Sequence, residues 1–488
     1  MDRAESMFQR DKNHVSILFW SCGNESYAGE DILAMADWFR AQDPSRLVHY
    51  EGVFHNREFD RISDVESRMY APPGEIRRYL ESNPAKPFLL CEYMHDMGNS
   101  LGGMESYIRL EEEFPQYQGG FIWDYMDQAL WHRDPAGNPF LGYGGDFEDR
   151  QSDYAFGGNG IVFADGREKP AMQEVRYWYS SKEARGKWDR ENQKQASAVQ
   201  PLPRRPGKLK TVQGDGALGV FGEKFEILFS YPEGGPVSLV TGGKQWLWRA
   251  PRPAYWRAPT ENDLGNGFAA KSSLWAAVDS WQVCSRIQLL ENTQHRVSIC
   301  YTYTAPAMPD LRTEVTYTVA EGCLEVKVRY HGASGRPQLP LLGLRFSTPE
   351  PVEEIHWLGL SGETYPDRKK GGRFGWYRES PQIPDYLRPQ ECGCHVDTHQ
   401  TIFRAGEHRL MMEKGDRPYA FSAIAYTPQQ LSQAYHKWEL PQPCRTVVTV
   451  CGAMRGVGGI DSWGADVEET YHISSQETME FSFRIHLT

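Results

Sequence analysis

Short apolar runs alternate with amphipathic stretches over residues 1 to about 180. The run Ser16–Trp20 (SILFW) is typical of a buried strand, and Asp31–Phe39 then places its apolar side chains on one helical face. The same reasoning predicts further strands at Leu47–Tyr50, Ser63–Val65 continuing towards Tyr70, Pro87–Cys91 and Gly119–Trp123. Helices are predicted at Gly74–Glu81 and Leu101–Phe114.

This alternation of strand and helix predicts a parallel sheet, in either a doubly wound fold or a (β/α)₈ barrel. No glycine-rich phosphate-binding loop follows a strand, which disfavours a nucleotide-binding fold. The predicted strands number five, whereas a closed barrel has eight and takes roughly 250 residues.

From about Thr211 the hydrophobic period changes to two. Apolar and polar residues alternate from Leu311 to Val319, a Glu321–Gly322 turn follows, and the alternation resumes from Leu324 to Tyr330. This pattern predicts an antiparallel hairpin with one buried face. Similar segments recur to the C-terminus and predict a large antiparallel β-sandwich over residues 211–488.

Between the two halves lies a polar segment, 181–210, that is rich in basic residues and poor in apolar ones. Such a composition buries little surface to offset the entropy of ordering, so we interpret it as a linker. The predicted domains are therefore 1–180, the linker 181–210 and 211–488.

The amino-acid composition excludes some classes of protein and disfavours some kinds of partner. Hydrophobic residues make up 40% and charged residues 24%, which excludes a mostly disordered chain. The net charge of −12 disfavours nucleic acid as a partner. There is no apolar run long enough for a membrane helix and no secretory signal, so no membrane partner is predicted. The nine scattered cysteines indicate reduced thiols and a cytoplasmic location.

Two carboxylates lie just past the ends of predicted strands. Glu25 comes shortly after Ser16–Trp20, and Glu92 comes immediately after Pro87–Cys91. Side chains at the C-terminal ends of barrel strands point into the active-site mouth, where paired carboxylates suit glycoside hydrolysis. From position alone, the alternative is that both residues simply cap helices or turns.

Each of these two glutamates lies in a distinctive sequence segment. Glu92 lies in CEYMHDMGNS and Glu25 in WSCGNES. Further motifs follow in order at 119–128, 143–147, 156–165, 257–265, 357–360, 365–368 and 458–463. Together these segments resemble the β-galactosidases of glycoside hydrolase family 2, the bacterial lactose-cleaving type.

The resemblance implies the C-terminal part of a (β/α)₈ TIM barrel followed by the large antiparallel β-sandwich of that family. It implies retaining hydrolysis of terminal β-D-galactosides such as lactose, with Glu25 as the general acid/base and Glu92 as the nucleophile. It also implies oligomers of identical chains in intact relatives.

Other site residues are likewise implied by the resemblance. Asn24 matches the residue that binds the sugar 2-hydroxyl, and Tyr70 and His95 match residues that orient the nucleophile and hold sugar hydroxyls. Trp123 matches the floor of the galactose pocket, and Trp463 the ring on which the aglycone stacks.

The family also binds Mg²⁺ and Na⁺. Glu25 matches one magnesium ligand, while the carbonyl of Phe156 and the side chain of Asn159 match two sodium ligands beside the sugar.

The sequence departs from the family's pattern in what precedes Met1. Two magnesium ligands, one sodium ligand and the first barrel strands of the family have no counterpart here, so we expect impaired activity of this chain alone. A complementing N-terminal chain is one partner that would fit. Two alternatives stay open: another family 2 activity, such as β-glucuronidase or β-mannosidase, and a non-catalytic carbohydrate-binding or assembly fragment.

Overall fold

The computed structural model describes residues 1–487 and shows a mixed α/β part followed by large antiparallel sheets. The five parallel strands predicted near the N-terminus are confirmed, as β1 to β5: Phe19–Ser21, Leu47–His49, Glu66–Met69, Phe88–Tyr93 and Tyr117–Ile122. Their hydrogen bonds divide them into a pair, β1–β2, and a three-stranded sheet, β3–β4–β5.

Five helices accompany these strands, as α1 to α5: Asp2–Asp11, Glu30–Gln42, Pro73–Glu81, Met104–Glu113 and Met172–Trp178. Helices α2, α3 and α4 confirm the predicted ones, whereas α1 and α5 were not predicted. Each group of strands has its own apolar cluster, one with α1 and α2 and the other with α3, α4 and α5.

The interpretation of 181–210 as a linker is wrong in its first half, because Lys182–Ser197 forms helix α6. The Ser181 side chain caps its first turn by accepting the Ala184 N–H. Buried Arg185 donates to the carbonyl of Trp178 at 2.8 Å, and Asn192 donates to that of Gly372 at 2.7 Å. The segment has few apolar residues to bury. Its good helix-forming residues and these tertiary contacts instead offset the entropy lost when it becomes ordered.

The hairpin β6–β7 (Leu130–Arg133 and Pro139–Gly142) completes the strands of the first part. The remaining strands, β8 to β26 in chain order, are Lys210–Gln213, Ala217–Phe221, Phe225–Ser230, Gly235–Thr241, Lys244–Gln245, Arg252–Ala254, Val283–Asn292, Arg296–Ala305, Met308–Ala320, Cys323–Tyr330, Leu341–Ser347, Glu354–Leu360, Phe374–Glu379, Cys394–Thr398, Gln400–Ala405, His408–Lys414, Tyr419–Ile424, Val447–Met454 and Met479–His486.

These strands form three antiparallel sheets. Their orders are β12-β11-β10-β9-β8, β13-β18-β25-β24-β21 and β14-β15-β16-β17-β26-β23-β22-β19-β20. All three contribute to one apolar cluster, for example through Phe229, Val450 and Tyr317. Four short helices lie between the strands, as α7 to α10: Glu261–Gly265, Phe268–Lys271, Leu274–Ser280 and Pro428–Gln433. Short 3₁₀ segments are at Glu51–Phe54, Arg57–Ile62, Tyr154–Gly157, Lys437–Glu439 and Glu469–Tyr471.

The predicted hairpin is confirmed in register. Strands β16 and β17 pair from Thr313 with Tyr330 to Ala320 with Cys323, so two residues make the turn. Glu321 and Gly322 both have positive φ, 50° and 71°, as the two-residue turns that match the strand twist require.

Within residues 1–487, none of the helices combines the length and the apolar character needed to cross a bilayer.

Candidate active site

Three carboxylates lie at the C-terminal ends of parallel strands. Glu25 follows β1, Glu51 follows β2, and Glu92 is near the end of β4. The Glu25 N–H donates to the Glu51 carboxylate at 2.6 Å, which ties the first two loops together. Glu51 is buried, and its burial raises its pKa, as does the neighbouring Glu25 charge. Sequence reasoning missed Glu51, although the strand-end rule that selected Glu25 and Glu92 applies to it equally.

The half-buried carboxylate of Glu92 accepts a hydrogen bond from the Tyr70 hydroxyl at 2.7 Å. Burial raises the pKa of Glu92, and the charges of Glu25, Glu51 and Asp124 raise it further, while the Tyr70 hydrogen bond opposes them. The structure thus brings Glu25 close enough to Glu92 for their charges to interact.

Three residues at this site have a strained backbone conformation. Glu25, Tyr70 and Met94, the last beside His95, all have φ between 52° and 54°. Such conformations cost non-glycine residues about 1–3 kcal/mol each and persist where the surroundings enforce them, commonly at functional sites.

We expect the Tyr70→Phe variant to shift the acidic limb of the pH–rate profile to higher pH. The tyrosine hydrogen bond lowers the pKa of Glu92, so its loss raises that pKa, and Glu92 must be ionised to attack. A hydrogen bond to a charged group is worth about 1.5–3 kcal/mol, so kcat/KM falls about 10- to 100-fold. Profiles measured beside a Tyr435→Phe control test this; an unmoved acidic limb would contradict it.

An aromatic wall stands beside Glu92. The Tyr70 ring meets the Trp463 ring edge-on at 4.7 Å between centroids, and the His95 ring lies 5.7 Å from Tyr70 and 5.2 Å from both Trp463 and Phe156. His95 is buried, and burial lowers its pKa to about 4. Trp463 comes from the antiparallel part and is 48% exposed, so one ring of the wall faces solvent.

A cleft of about 420 Å³ is lined by Glu25, Glu51 and Tyr70, together with Arg68 and Glu75. Asn24 is exposed and joins none of the hydrogen bonds around Glu92 that the structure describes. Trp123 follows β5 and is half-buried. Its main-chain N–H donates to the carbonyl of Tyr93, and its main-chain carbonyl accepts from the main-chain N–H of Asp96.

The two cations implied by the resemblance fit this chain unequally. In the described part of the chain, no three His, Cys, Asp or Glu side chains converge as a metal site requires, so Glu25 lacks companions for magnesium. The Asn159 Oδ1 is buried without a partner, and its Nδ2 donates to the Phe156 carbonyl at 2.9 Å. This is a partial fit for a monovalent cation, because the Phe156 carbonyl oxygen and Asn159 Oδ1 would face the same ion only if the Asn159 side-chain amide were turned over.

A buried lysine joins three of the loops that carry these residues. Lys169 contacts the Asp127 carboxylate at 2.8 Å and donates to the carbonyls of Asp96 at 3.1 Å and Gly158 at 3.3 Å. Asp96 follows His95, and Gly158 precedes Asn159. Both carboxylate oxygens of Asp96 are buried without a partner, and burial raises its pKa to about 7. No motif in the sequence marked Lys169.

Comparison with known proteins divides the chain as the fold does. Residues 1–183 match the family described as "Glycosyl hydrolases family 2, TIM barrel domain", and residues 221–485 match "Beta galactosidase small chain".

Curated relatives extend over both parts. The chain is 38% identical to a beta-galactosidase of Halalkalibacterium halodurans and 34% identical to one of Streptococcus thermophilus, over 99% of this chain and 57% of each relative. It is 65% identical to a beta-galactosidase large subunit of Leuconostoc lactis over 37% of this chain and 29% of that subunit. The chain therefore spans little more than half the length of its full-length relatives.

Proposed function

The chain belongs to glycosyl hydrolase family 2 and contains that family's β-galactosidase small-chain domain, and on this premise we propose that it carries the site for retaining hydrolysis of terminal β-D-galactosides. The observation that carries the proposal is the Glu92 carboxylate, held by Tyr70 at 2.7 Å and influenced by the charge of Glu25. Glycoside hydrolysis requires two carboxylates that flank the scissile bond, and we assign these two roles to Glu92 and Glu25.

In the proposed mechanism, Glu92 attacks the anomeric carbon while Glu25 protonates the departing glycosidic oxygen. A glycosyl ester on Glu92 results, and Glu25, now a carboxylate, removes a proton from the water that displaces it. The Tyr70 hydroxyl holds one oxygen of Glu92, which leaves the other to attack.

The assignment of the other site residues is part of the same proposal. His95 and Asn24 hold sugar hydroxyls, Trp123 forms the floor of the galactose pocket, and Trp463 stacks on the aglycone. The half-exposed ring of Trp463 in the aromatic wall supports the role proposed for it. We also propose that the five parallel strands belong to a (β/α)₈ barrel, in keeping with the family matched by residues 1–183.

For the cations, we propose only the sodium pair. Phe156 and Asn159 would hold Na⁺ through a carbonyl and an amide oxygen, where the ion would orient a sugar hydroxyl. The buried, unpartnered Oδ1 of Asn159 supports this. Magnesium does not fit here in the same way, because Glu25 lacks companion ligands in the described residues.

The choice of β-galactoside over β-glucuronide or β-mannoside rests on the family's β-galactosidase domain and on the relatives' names. We expect nitrophenyl β-D-galactoside to be hydrolysed at least about 100-fold faster, in kcat/KM, than the other two nitrophenyl glycosides. A difference of that size needs only about 2.7 kcal/mol, within reach of a few hydroxyl contacts in a pocket. Equal or faster turnover of the glucuronide or mannoside would overturn the galactoside assignment.

A second candidate is a non-catalytic sugar-binding or assembly piece, which the missing magnesium companions of Glu25 favour. Saturable galactose binding without turnover would select it. We further propose that the chain works in an assembly, either with copies of itself or with a complementing chain, since one relative is named a large subunit.

A further inference from the structure

A closed ring of hydrogen bonds surrounds the Nδ1 side of His95. His95 Nδ1 lies 2.8 Å from the Ser462 hydroxyl, and the Ser462 hydroxyl lies 2.7 Å from Asn262 Oδ1. Asn262 Nδ2 donates to the Ser100 hydroxyl at 2.8 Å, and that hydroxyl donates to the main-chain carbonyl of His95 at 2.9 Å. Every side chain of the ring is buried.

The orientation of the Asn262 side-chain amide is determined by the main-chain carbonyl of Val457, which can only accept a hydrogen bond. Its Nδ2 lies 3.0 Å from the carbonyl oxygen of Val457. A turned-over amide would place two acceptors against each other there, so the nitrogen faces Val457 and the oxygen faces Ser462.

The proton of Ser462 follows from that orientation. Asn262 Oδ1 has no hydrogen, so Ser462 must donate its single hydroxyl proton to it. The Ser462 oxygen then has only lone pairs to offer His95. A hydrogen bond between the two therefore forms only if His95 Nδ1 carries a proton and donates it.

The opposite ring nitrogen gives an independent constraint. As long as no cation occupies the Phe156–Asn159 pair, Asn159 Nδ2 donates to the Phe156 carbonyl at 2.9 Å, which orients this amide by the same argument. The group that Asn159 presents to His95 Nε2, at 3.4 Å, is therefore an N–H, and Nε2 meets it with a lone pair. Both sides of the ring require the same tautomer.

We propose that Ser462 and Asn262, from the antiparallel part, are positioning residues that hold His95 as the neutral Nδ1–H tautomer. His95 Nε2 is then an acceptor only, so a ligand group that displaces the long 3.4 Å contact from Asn159 must be a donor, such as a sugar hydroxyl, and not a carboxylate. This inference deepens the proposed function and rests on it for the identity of the ligand, but not for the tautomer.

The test is the nitrogen spectrum of the 488-residue chain labelled with ¹⁵N-histidine. His95 is identified among the 14 histidines by the signal lost in His95→Gln. We expect a protonated Nδ1 and an unprotonated Nε2 in the unmodified chain. In Ser462→Ala both signals should move towards the average of the two tautomers, while Ser462→Thr, which keeps a hydroxyl, restores them. Ser432→Ala, an exposed serine on α10, is the matched control.

A protonated Nε2 in the unmodified chain, or a Ser462→Ala spectrum identical to it, would overturn the proposal. Neither result depends on turnover, so failure of the proposed function is recognised separately, by absence of galactoside hydrolysis. Where hydrolysis is measured, Ser462→Ala should lower kcat/KM about tenfold, and Ser462→Thr should recover most of it.

Discussion

Replacing Glu92 by glutamine is expected to lower kcat/KM for nitrophenyl β-D-galactoside by a factor on the order of 10⁴, or about 5.4 kcal/mol of transition-state stabilisation. Glutamine keeps the size of the side chain and an oxygen that can accept from Tyr70, which holds Glu92 at 2.7 Å. What it removes is the negative charge that forms the bond to the anomeric carbon, so the covalent route is lost.

The exposed Glu81 at the end of α3 offers a matched control. Glu81→Gln makes the same chemical change away from the cleft and should leave turnover within about twofold, since surface substitutions rarely exceed about 0.5 kcal/mol. Turnover by Glu92→Gln equal to that of Glu81→Gln would exclude Glu92 as the nucleophile.

Small-anion rescue separates the roles of the two carboxylates. With azide present, Glu25→Ala should form the β-galactosyl azide, because the intermediate on Glu92 is intact and azide replaces water. Glu92→Ala should form the α-azide, because azide then occupies the nucleophile's place. Exchanged products would mean that the two roles are reversed.

Substituting Lys169 by methionine is expected to destabilise the fold by about 3–5 kcal/mol. The lysine is buried and contacts Asp127 at 2.8 Å, and methionine of similar length leaves that carboxylate without its cation. The carbonyls of Asp96 and Gly158 also lose their donor. Breaking a buried pair by removing one partner leaves an uncompensated charge, which is the costly case.

Chemical denaturation followed by tryptophan fluorescence would measure this loss, with Lys187→Met on the exposed face of α6 as the control. Hydrogen exchange should show where stability is lost. The amides of 94–100, 124–128 and 157–160 should exchange faster, because the lysine joins these loops. Equal stability of the two lysine variants would show that Lys169 is not what holds the loops together.

Local sequence patterns predict the structure well where it depends on neighbours in the sequence. The alternation from Leu311 to Tyr330 predicted a hairpin, and strands β16 and β17 pair around Glu321–Gly322 as expected. The strand-end rule also selects Glu51, whose carboxylate holds the loop of Glu25. The position of Glu51 is therefore predictable from the sequence by the same rule.

The segment 181–210 shows why composition alone misleads. Its few apolar residues suggested a linker, yet Lys182–Ser197 is helical. Arg185 and Asn192 bond to carbonyls of Trp178 and Gly372, and the second of these is 180 residues away in sequence. Polar contacts to partners in another part of the chain leave no periodic signal for a pattern to detect.

The sequence by itself determined the two halves, the parallel and antiparallel strands, and the positions of Glu25 and Glu92, because these follow from hydrophobic period and from strand ends. Only the tertiary structure decided which residues meet. Ser462 lies 367 residues after His95, yet its hydroxyl contacts the ring at 2.8 Å. The direction of that hydrogen bond follows from acceptors on Asn262 and Val457, and such directions depend on atoms brought together by folding.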